Sequence, residues 1–507
     1  MSSRSDSAPV LVAKGAAFIF AGLIFARLLN YAYRIVLARA GGIEQFGLLF
    51  LGVSTIAVVG GLAVVGLDMG VARFIPLYLG QEDRPRLRGM LRYALAASLF
   101  TGVAAGAALY LAGPWIAVNL LRNEPLVDVF HICALCLPFY VSDRVLIKTV
   151  VAFQKIGYRV AVNQILNPLV RLLLTLALLA AGMGVLGAMW AYLASELLSF
   201  AALLWLVEKR IFPVFSTPGE EIENLFEARA FFAYSLPLFL AGIIDLVLNY
   251  TDAFMTDYFL DASQVGIYGA AATLTSLAAL GTELLNPMFL SIITQDYARR
   301  NLPGVVSTFN NNNRWFSYIT LPIVALLVIL PSETIVLIWG NSFEAGWASL
   351  VILTLGRAVF YLATTSGFVL SMHGATRYIL IANLISALLN VVLNYSLIPL
   401  LGITGAALGT AISLTVQSVL FISAARLHHR GQGMRVLYPG ILAAAALPAV
   451  LCLTVKSYFS SGWVMVIGLG LGYSVIYLAL LKVFNVFSAE DYQIWRAILS
   501  RIKARKA

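Results

Sequence analysis

The chain has 507 residues, 61% of them hydrophobic and only 11% charged, whereas a soluble domain carries about 25% charged and 45–50% apolar residues. That balance excludes a water-soluble globular protein and describes an integral membrane protein. The net charge of +10 would point to nucleic acid in a soluble chain, but here the cations fall mainly between apolar runs, so they report topology and no nucleic-acid partner is expected.

The segment Met1 to Pro9 is polar and carries no cleavable-signal pattern, so the first apolar helix is expected to be retained. A membrane crossing needs about 20 mostly apolar residues. Windows of that length predict fourteen spans, at 14–37, 47–70, 91–113, 127–150, 160–182, 186–207, 231–256, 264–290, 315–338, 347–371, 377–399, 404–425, 436–457 and 462–483. Joints such as GMG at 182–184 and LGIT at 401–404 leave no room for a soluble domain.

Cationic residues mark cytoplasmic loops. With the N-terminus inside, the inner loops carry Arg84, Arg86, Arg88 and Arg92, then Lys155 and Arg159, then Lys209, Arg210 and Arg229. Further along come Arg299, Arg300 and Arg314, then Arg377, then Arg426, Arg430 and Arg435. The opposite loops hold few: Arg39, Arg122 and Lys456. Both termini are therefore expected in the cytoplasm, and the basic tail RAILSRIKARKA reads as a surface anchor. Cys133 and Cys136 form a CxxC inside an apolar helix, a setting for two small buried side chains; metal and redox sites need polar surroundings and more ligands. No catalytic residue, metal ligand or cofactor is expected.

An ionisable side chain at mid-bilayer costs at least about 2.5–3.5 kcal/mol, so each one is a candidate for function. In the first span, Arg27 and Arg34 are seven residues apart and share a face with Asn30 and Tyr31, while Arg39 lies at the span end and can snorkel. Arg144 and Lys148 share a face of the fourth span, with Asp143 as a local ion-pair partner for Arg144. Arg171 lies in the fifth span and Glu196 in the sixth, where Glu196 is a partner for one of these cations. The second half carries carboxylates instead. Asp245 and Asp252 share a face of the seventh span with Asn249, Asp257 is interfacial, Glu283 follows in the eighth span, and Arg357 lies in the tenth.

Two patches repeat. LLNYAYRIVLARAGGIEQFGLL aligns with LVLNYTDAFMTDYFLDASQVGIYG, so that Asn30, Tyr31, Gln45 and Gly47 match Asn249, Tyr250, Gln264 and Gly266. GMGVLGAMWA aligns with LGITGAALGT at a separation one residue smaller, which Arg159 and Arg377 share. Six spans per period make the copies parallel repeats about an axis along the membrane normal, with a binding site between them, as in transporters. The expected organisation is a six-helix lobe over 1–215, a second over 216–430, and two extra helices with a basic cytoplasmic tail over 431–507.

The first-span pattern followed by GLDMGVARFIP (Gly66 to Pro76), the stretch ICALCLPFYVSDRVL with QKIGYR after it, and above all NVVLNYSLIPLLGITGAALGTAIS (Asn390 to Ser413) resemble Wzx-type polysaccharide flippases. These belong to the multidrug/oligosaccharidyl-lipid/polysaccharide (MOP) exporter superfamily, and the resemblance covers about residues 14–425. It implies a MATE-like all-α fold and a multi-pass protein of the cytoplasmic (inner) cell membrane. It also implies transport of a polyprenyl-diphosphate-linked oligosaccharide to the outer leaflet, with coupling to H+ or Na+. Membrane lipids, a polysaccharide polymerase and a chain-length protein are the further partners it implies. RIVLARA departs from the RDAVIA-like stretch typical of lipid II flippases, which argues against lipid II. The first span has no acid, unlike that of multidrug exporters.

With that resemblance, Arg27, Asn30, Tyr31, Arg34, Arg144, Lys148, Arg171 and Arg357 are the candidate substrate-binding residues of a wet cavity, since a guanidinium fork binds phosphate oxygens in pairs. Asp245, Asn249, Asp252 and Glu283 are the candidate ion-coupling residues. The rival readings are a MATE-like export of small molecules and, from another class, a membrane glycosyltransferase or polymerase acting on lipid-linked sugars. The short outer loops and the lack of any P-loop or GxGxxG context argue against an enzyme.

Overall fold

The computed structural model describes residues 8–216, 227–428, 433–456, 458 and 462–487; the expected tail anchor lies outside them. Every regular element among the described residues is helical. In chain order the first half holds α1 (Ala8–Ala63), α2 (Leu67–Gly80), α3 (Arg84–Trp115), α4 (Leu126–Ala152), α5 (Ile156–Arg159), α6 (Asn167–Ala180) and α7 (Gly184–Leu206). After it come α8 (Ala228–Phe259), α9 (Ala262–Thr275), α10 (Leu280–Ala298), α11 (Leu302–Ile329) and α12 (Pro331–Trp339). The last elements are α13 (Trp347–Met372), α14 (Thr376–Leu401), α15 (Ile403–His428), α16 (Pro439–Lys456) and α17 (Trp463–Val483).

Twelve helices among the described residues are long and apolar enough to cross a membrane, or thirteen if α11 and α12, bent by 88°, form one span. The expectation of fourteen treated 14–70 as two spans. The structure carries that stretch mainly as α1, 56 residues long and broken at Gly42 (φ 77°, ψ −171°). A straight helix of that length would reach roughly 84 Å, far beyond a hydrocarbon core of about 30 Å. Gly42 provides the break because only a residue without Cβ takes that backbone shape freely.

The chain forms two compact units. The first comprises Met1–Gly269 with Asn394–Ile403. It packs Leu67, Val71, Ile75, Leu91, Val145, Leu203 and Phe231 into one apolar cluster. Arginines expected in the inner loops as topology markers also strap the chain leaving α7. Arg88 Nε donates to the Pro213 carbonyl (3.2 Å) and Arg92 Nε to that of Val214 (2.6 Å). The Glu208 carboxylate accepts the backbone N–H groups of Val214, Phe215 and Ser216 at 2.7–2.9 Å.

The repeat is visible inside this unit. Gly47 of α1 and Gly266 of α9 meet backbone to backbone: a Cβ on Gly47 would lie 3.0 Å from the Gly266 nitrogen, and one on Gly266 3.1 Å from the Gly47 nitrogen. The contact is reciprocal. Gly47 faces the carbonyl of Ala262, and Gly266 faces that of Ile43, which stands at the matching place in the other copy. One turn on, Phe50 lies against its own counterpart, Gly269. Matched positions meeting at two successive places require the two helices to run in the same direction, as parallel repeats demand.

The second unit comprises Ala270–Leu393 and Thr404–Ala507. α16 and α17 are built onto α11 and α12. Lys456 pairs with Glu333 (2.8 Å) and donates to the Ile329 carbonyl (3.2 Å), which satisfies a backbone acceptor where α11 ends. The Asn-rich run of α11 holds the incoming linker: Asn310 donates to Gly433 and accepts from the Arg435 N–H, at 2.8 and 2.7 Å. Helix caps carry the repeat across both units. Asp83 caps α3 through the Arg86 N–H (3.1 Å), Asn301 caps α11 through the Gly304 N–H (3.2 Å), and each cap is followed by x-Pro.

Gly266→Val should therefore destabilise the protein by about 1–3 kcal/mol or more, because the new side chain meets main chain that cannot rotate away. Thermal unfolding in detergent measures it. A melting temperature equal to that of the parent protein would mean the helices are free to separate there.

Candidate functional site

The buried centre of the first unit is an ion pair. Arg171 of α6 stands 2.8 Å from Glu196 of α7, and the two residues are 8% and 6% exposed. Arg171 also donates to Ser195 Oγ (3.1 Å) and Asn167 Oδ1 (2.8 Å), and its guanidinium lies over the Tyr192 ring (3.8 Å) and near that of Tyr33 (5.8 Å). The Asn167 amide donates to the Ser195 carbonyl and to Glu196 (3.3 Å each). Sequence reasoning assigned Arg171 to a wet cavity. The structure instead surrounds it with the partners that a guanidinium away from water needs.

Asp143 sits in an adjoining cluster, where it accepts from Asn163 (3.0 Å) and Ser199 (2.9 Å). The expected local pair between Asp143 and Arg144 is not what forms. Successive helix residues point different ways: Asp143 is 4% exposed, while Arg144 is exposed and donates to the Tyr140 hydroxyl (2.9 Å). Lys148, one turn on, is half-buried.

On α1, Arg27, Asn30, Tyr31 and Arg34 are all half-buried, and Arg39 is exposed. Asn30 Nδ2 donates to the Ala26 carbonyl (2.9 Å). Its counterpart Asn249 makes the same bond to the Asp245 carbonyl (2.7 Å). Asp245 and Asn249 are exposed on α8, whereas Asp252 is 4% exposed and accepts from the Tyr268 hydroxyl and the Asn394 amide, both at 2.6 Å. The two acids do share a side of the helix, but seven residues separate them by roughly 10 Å along its axis, and burial changes over that length. In the second unit Glu283 is exposed and Arg357 half-buried.

That unit has a buried polar seam between α14 and α15, the helices that follow the matching stretch of the repeat. Asn390 donates to Thr410, the counterpart of Tyr192 (3.2 Å). Gln417, the counterpart of Ser199, donates to Asn383 (2.8 Å). Asn390 and Thr410 are 0% and 3% exposed. The helix pair is thus joined by an ion pair in the first half and by neutral groups in the second. Sequence reasoning gave no role to Asn163, Ser195, Ser199, Tyr268 or Asn394. The signal available was polar residues three or four apart within apolar helices.

The polysaccharide biosynthesis protein family matches residues 12–293, more than half of the chain. The chain belongs to that family. Across 490 residues it is 22% identical to the lipid II flippase MurJ of Bacillus subtilis, covering 87% of each chain. It is 25% identical over 193 residues to the probable low-salt glycan biosynthesis flippase Agl15 of Haloferax volcanii, covering 38% of this chain and 41% of that one. The fold is that of the MOP superfamily: an inward-facing MATE-family multidrug resistance transporter superposes with a TM-score of 0.69 at 15% identity. The match covers 98% of that transporter and 82% of this chain. The resemblance read from the sequence is thus borne out at the level of superfamily and fold.

Removing one member of a buried pair leaves an uncompensated charge, which costs about 3–5 kcal/mol. Glu196→Ala should lose stability on that scale, and Arg171→Leu combined with Glu196→Leu should lose much less. Thermal unfolding in detergent reads both. Equal losses would show that packing, and not charge compensation, governs the site.

Proposed function

We propose that this protein is a flippase that carries a polyprenyl-diphosphate-linked oligosaccharide from the cytoplasmic to the outer leaflet of the cell membrane by alternating access. The termini lie in the cytoplasm, and the lobes 1–215 and 216–430 are the parts that reorient. The observation that carries the reading is the pair Arg27 and Arg34: two half-buried guanidiniums on one side of α1, beside Tyr31, in a member of the polysaccharide biosynthesis family. Their role is to hold the diphosphate, with Arg144, Lys148 and Arg357 extending the positive lining.

Coupling to H+ or Na+ is assigned to the acids of α8. Asp252, closed in with Asn394 and Tyr268, is the better ion holder, and exposed Asp245 the entry point. Lipid II is the second reading for the cargo, favoured by the extent of the likeness to MurJ and opposed by RIVLARA in the first span. Complementation of two strains, one lacking an oligosaccharide flippase and one lacking the lipid II flippase, distinguishes them. Rescue of the first alone is expected.

At matched protein levels, Arg27→Ala should abolish that rescue. Arg27→Lys should restore only part, because an ammonium lacks the paired donor geometry. Arg39→Ala should be nearly silent. Full activity of Arg27→Ala, or equal loss at Arg27 and Arg39, would make these arginines topological anchors. Asp252→Asn should impair gradient-driven transport in reconstituted vesicles while leaving insertion intact, and unchanged transport would remove Asp252 from coupling.

A further inference from the structure

A cavity of about 480 Å³ opens within the first unit where three loops meet: the turn between the two parts of α1, the segment before α4, and the joint between α8 and α9. These are loops that the charge pattern assigns to the outer face. In a chain of net charge +10, this cavity has the opposite sign. Glu44, Glu124, Asp257 and Asp261 line it against a single guanidinium, Arg122.

Asp257 is the unusual member. It is 2% exposed, it accepts one hydrogen bond from the Asn123 amide at 3.0 Å, and its second carboxylate oxygen has no hydrogen-bond partner. A buried carboxylate oxygen without a donor is costly, and the groups lining its cavity add mostly negative charge. A cation relieves both problems together.

We propose that this cavity binds one hydrated divalent cation, Mg2+ by its chemistry, with Asp257 as the direct ligand. Among the described residues no three acidic, His or Cys side chains stand close enough to hold a metal ion between them, which argues against a dehydrated chelate or a transition-metal site. Mg2+ has the complementary habit: it keeps several waters and takes only one or two carboxylates. Six waters at about 30 Å³ each fit within the volume. Glu44, Glu124 and Asp261 then act through that water shell, and a shift of the Asp257 side chain brings its free oxygen to the ion. Bound there, the ion ties the three outer loops together.

The test uses the full-length protein in detergent at constant ionic strength, titrated with MgCl2 and followed by calorimetry and thermal unfolding. One saturable site that raises the melting temperature is expected. Asp257→Asn should weaken it about tenfold or more and Glu124→Gln by a smaller factor, since affinity follows the ligand charge count. Glu82→Gln, on a loop expected at the inner face, should leave it unchanged. Should Asp257→Asn fail to fold, Glu124→Gln decides alone. The proposal is overturned by the absence of saturable Mg2+ binding to the parent protein, by parental affinity in the folded cavity variants, or by equal stabilisation with NaCl at matched ionic strength.

Discussion

A guanidinium inside a membrane protein must be satisfied by the protein itself, since lipid offers no hydrogen bonds. The contact between Arg171 and Glu196 meets that demand, and the first unit is arranged around it. α6 brings the cation, α7 brings the carboxylate with Ser195 and the Tyr192 ring, and α1 adds Tyr33. Three helices are fixed at once, because moving any one leaves a charge or a donor unpaired. Coulomb attraction alone does not decide the outcome: desolvating two ions costs several kcal/mol each, and the added hydrogen bonds close the gap. Asn167 is therefore as necessary as the ions, for it touches both.

The second unit solves the same packing problem without charge. Asn390 with Thr410, and Gln417 with Asn383, cross between α14 and α15. Amides and hydroxyls desolvate at far lower cost than ions, so this seam holds two helices together while tolerating small displacements better. Charge joins the helix pair in the first half and neutral groups join it in the second. The helix caps at Asp83 and Asn301 and the back-bonded Asn30 and Asn249 are the elements both copies preserved. All four bond to main-chain groups of their own helix.

Apolar runs made the all-helical class and most span positions legible, because a bilayer permits few alternatives, and the superfamily was legible from motif resemblance such as that of Asn390 to Ser413. The repeat was legible too, from Gly47 and Gly266, whose close approach leaves no room for another residue. Span number was less so. Hydropathy does not record that α1 breaks at Gly42, or that α11 and α12 meet at 88°. The site residues were only half legible. Seven-residue spacing correctly put Asp245 and Asp252 on one side of a helix, but spacing carries no information about depth, and burial separates them. Arg171 was visible as an ionisable residue; its enclosure was not, since that depends on tyrosines and serines of other helices.

The arginines divide by what surrounds them. Arg88 and Arg92 bond to main-chain carbonyls and hold a linker, which any basic residue does only in part, given the fixed fork of the guanidinium. Arg171 is consumed by its own enclosure, and an anion reaching it would have to displace Glu196. Arg27 and Arg34 are neither buried in that way nor at the span end where Arg39 lies. A cation that is half-buried retains a path to solvent while its field is less screened than in bulk water, the condition under which a mobile phosphate gains most from it. Cargo binding thus depends less on the number of charges in the membrane than on how deeply each of them is buried.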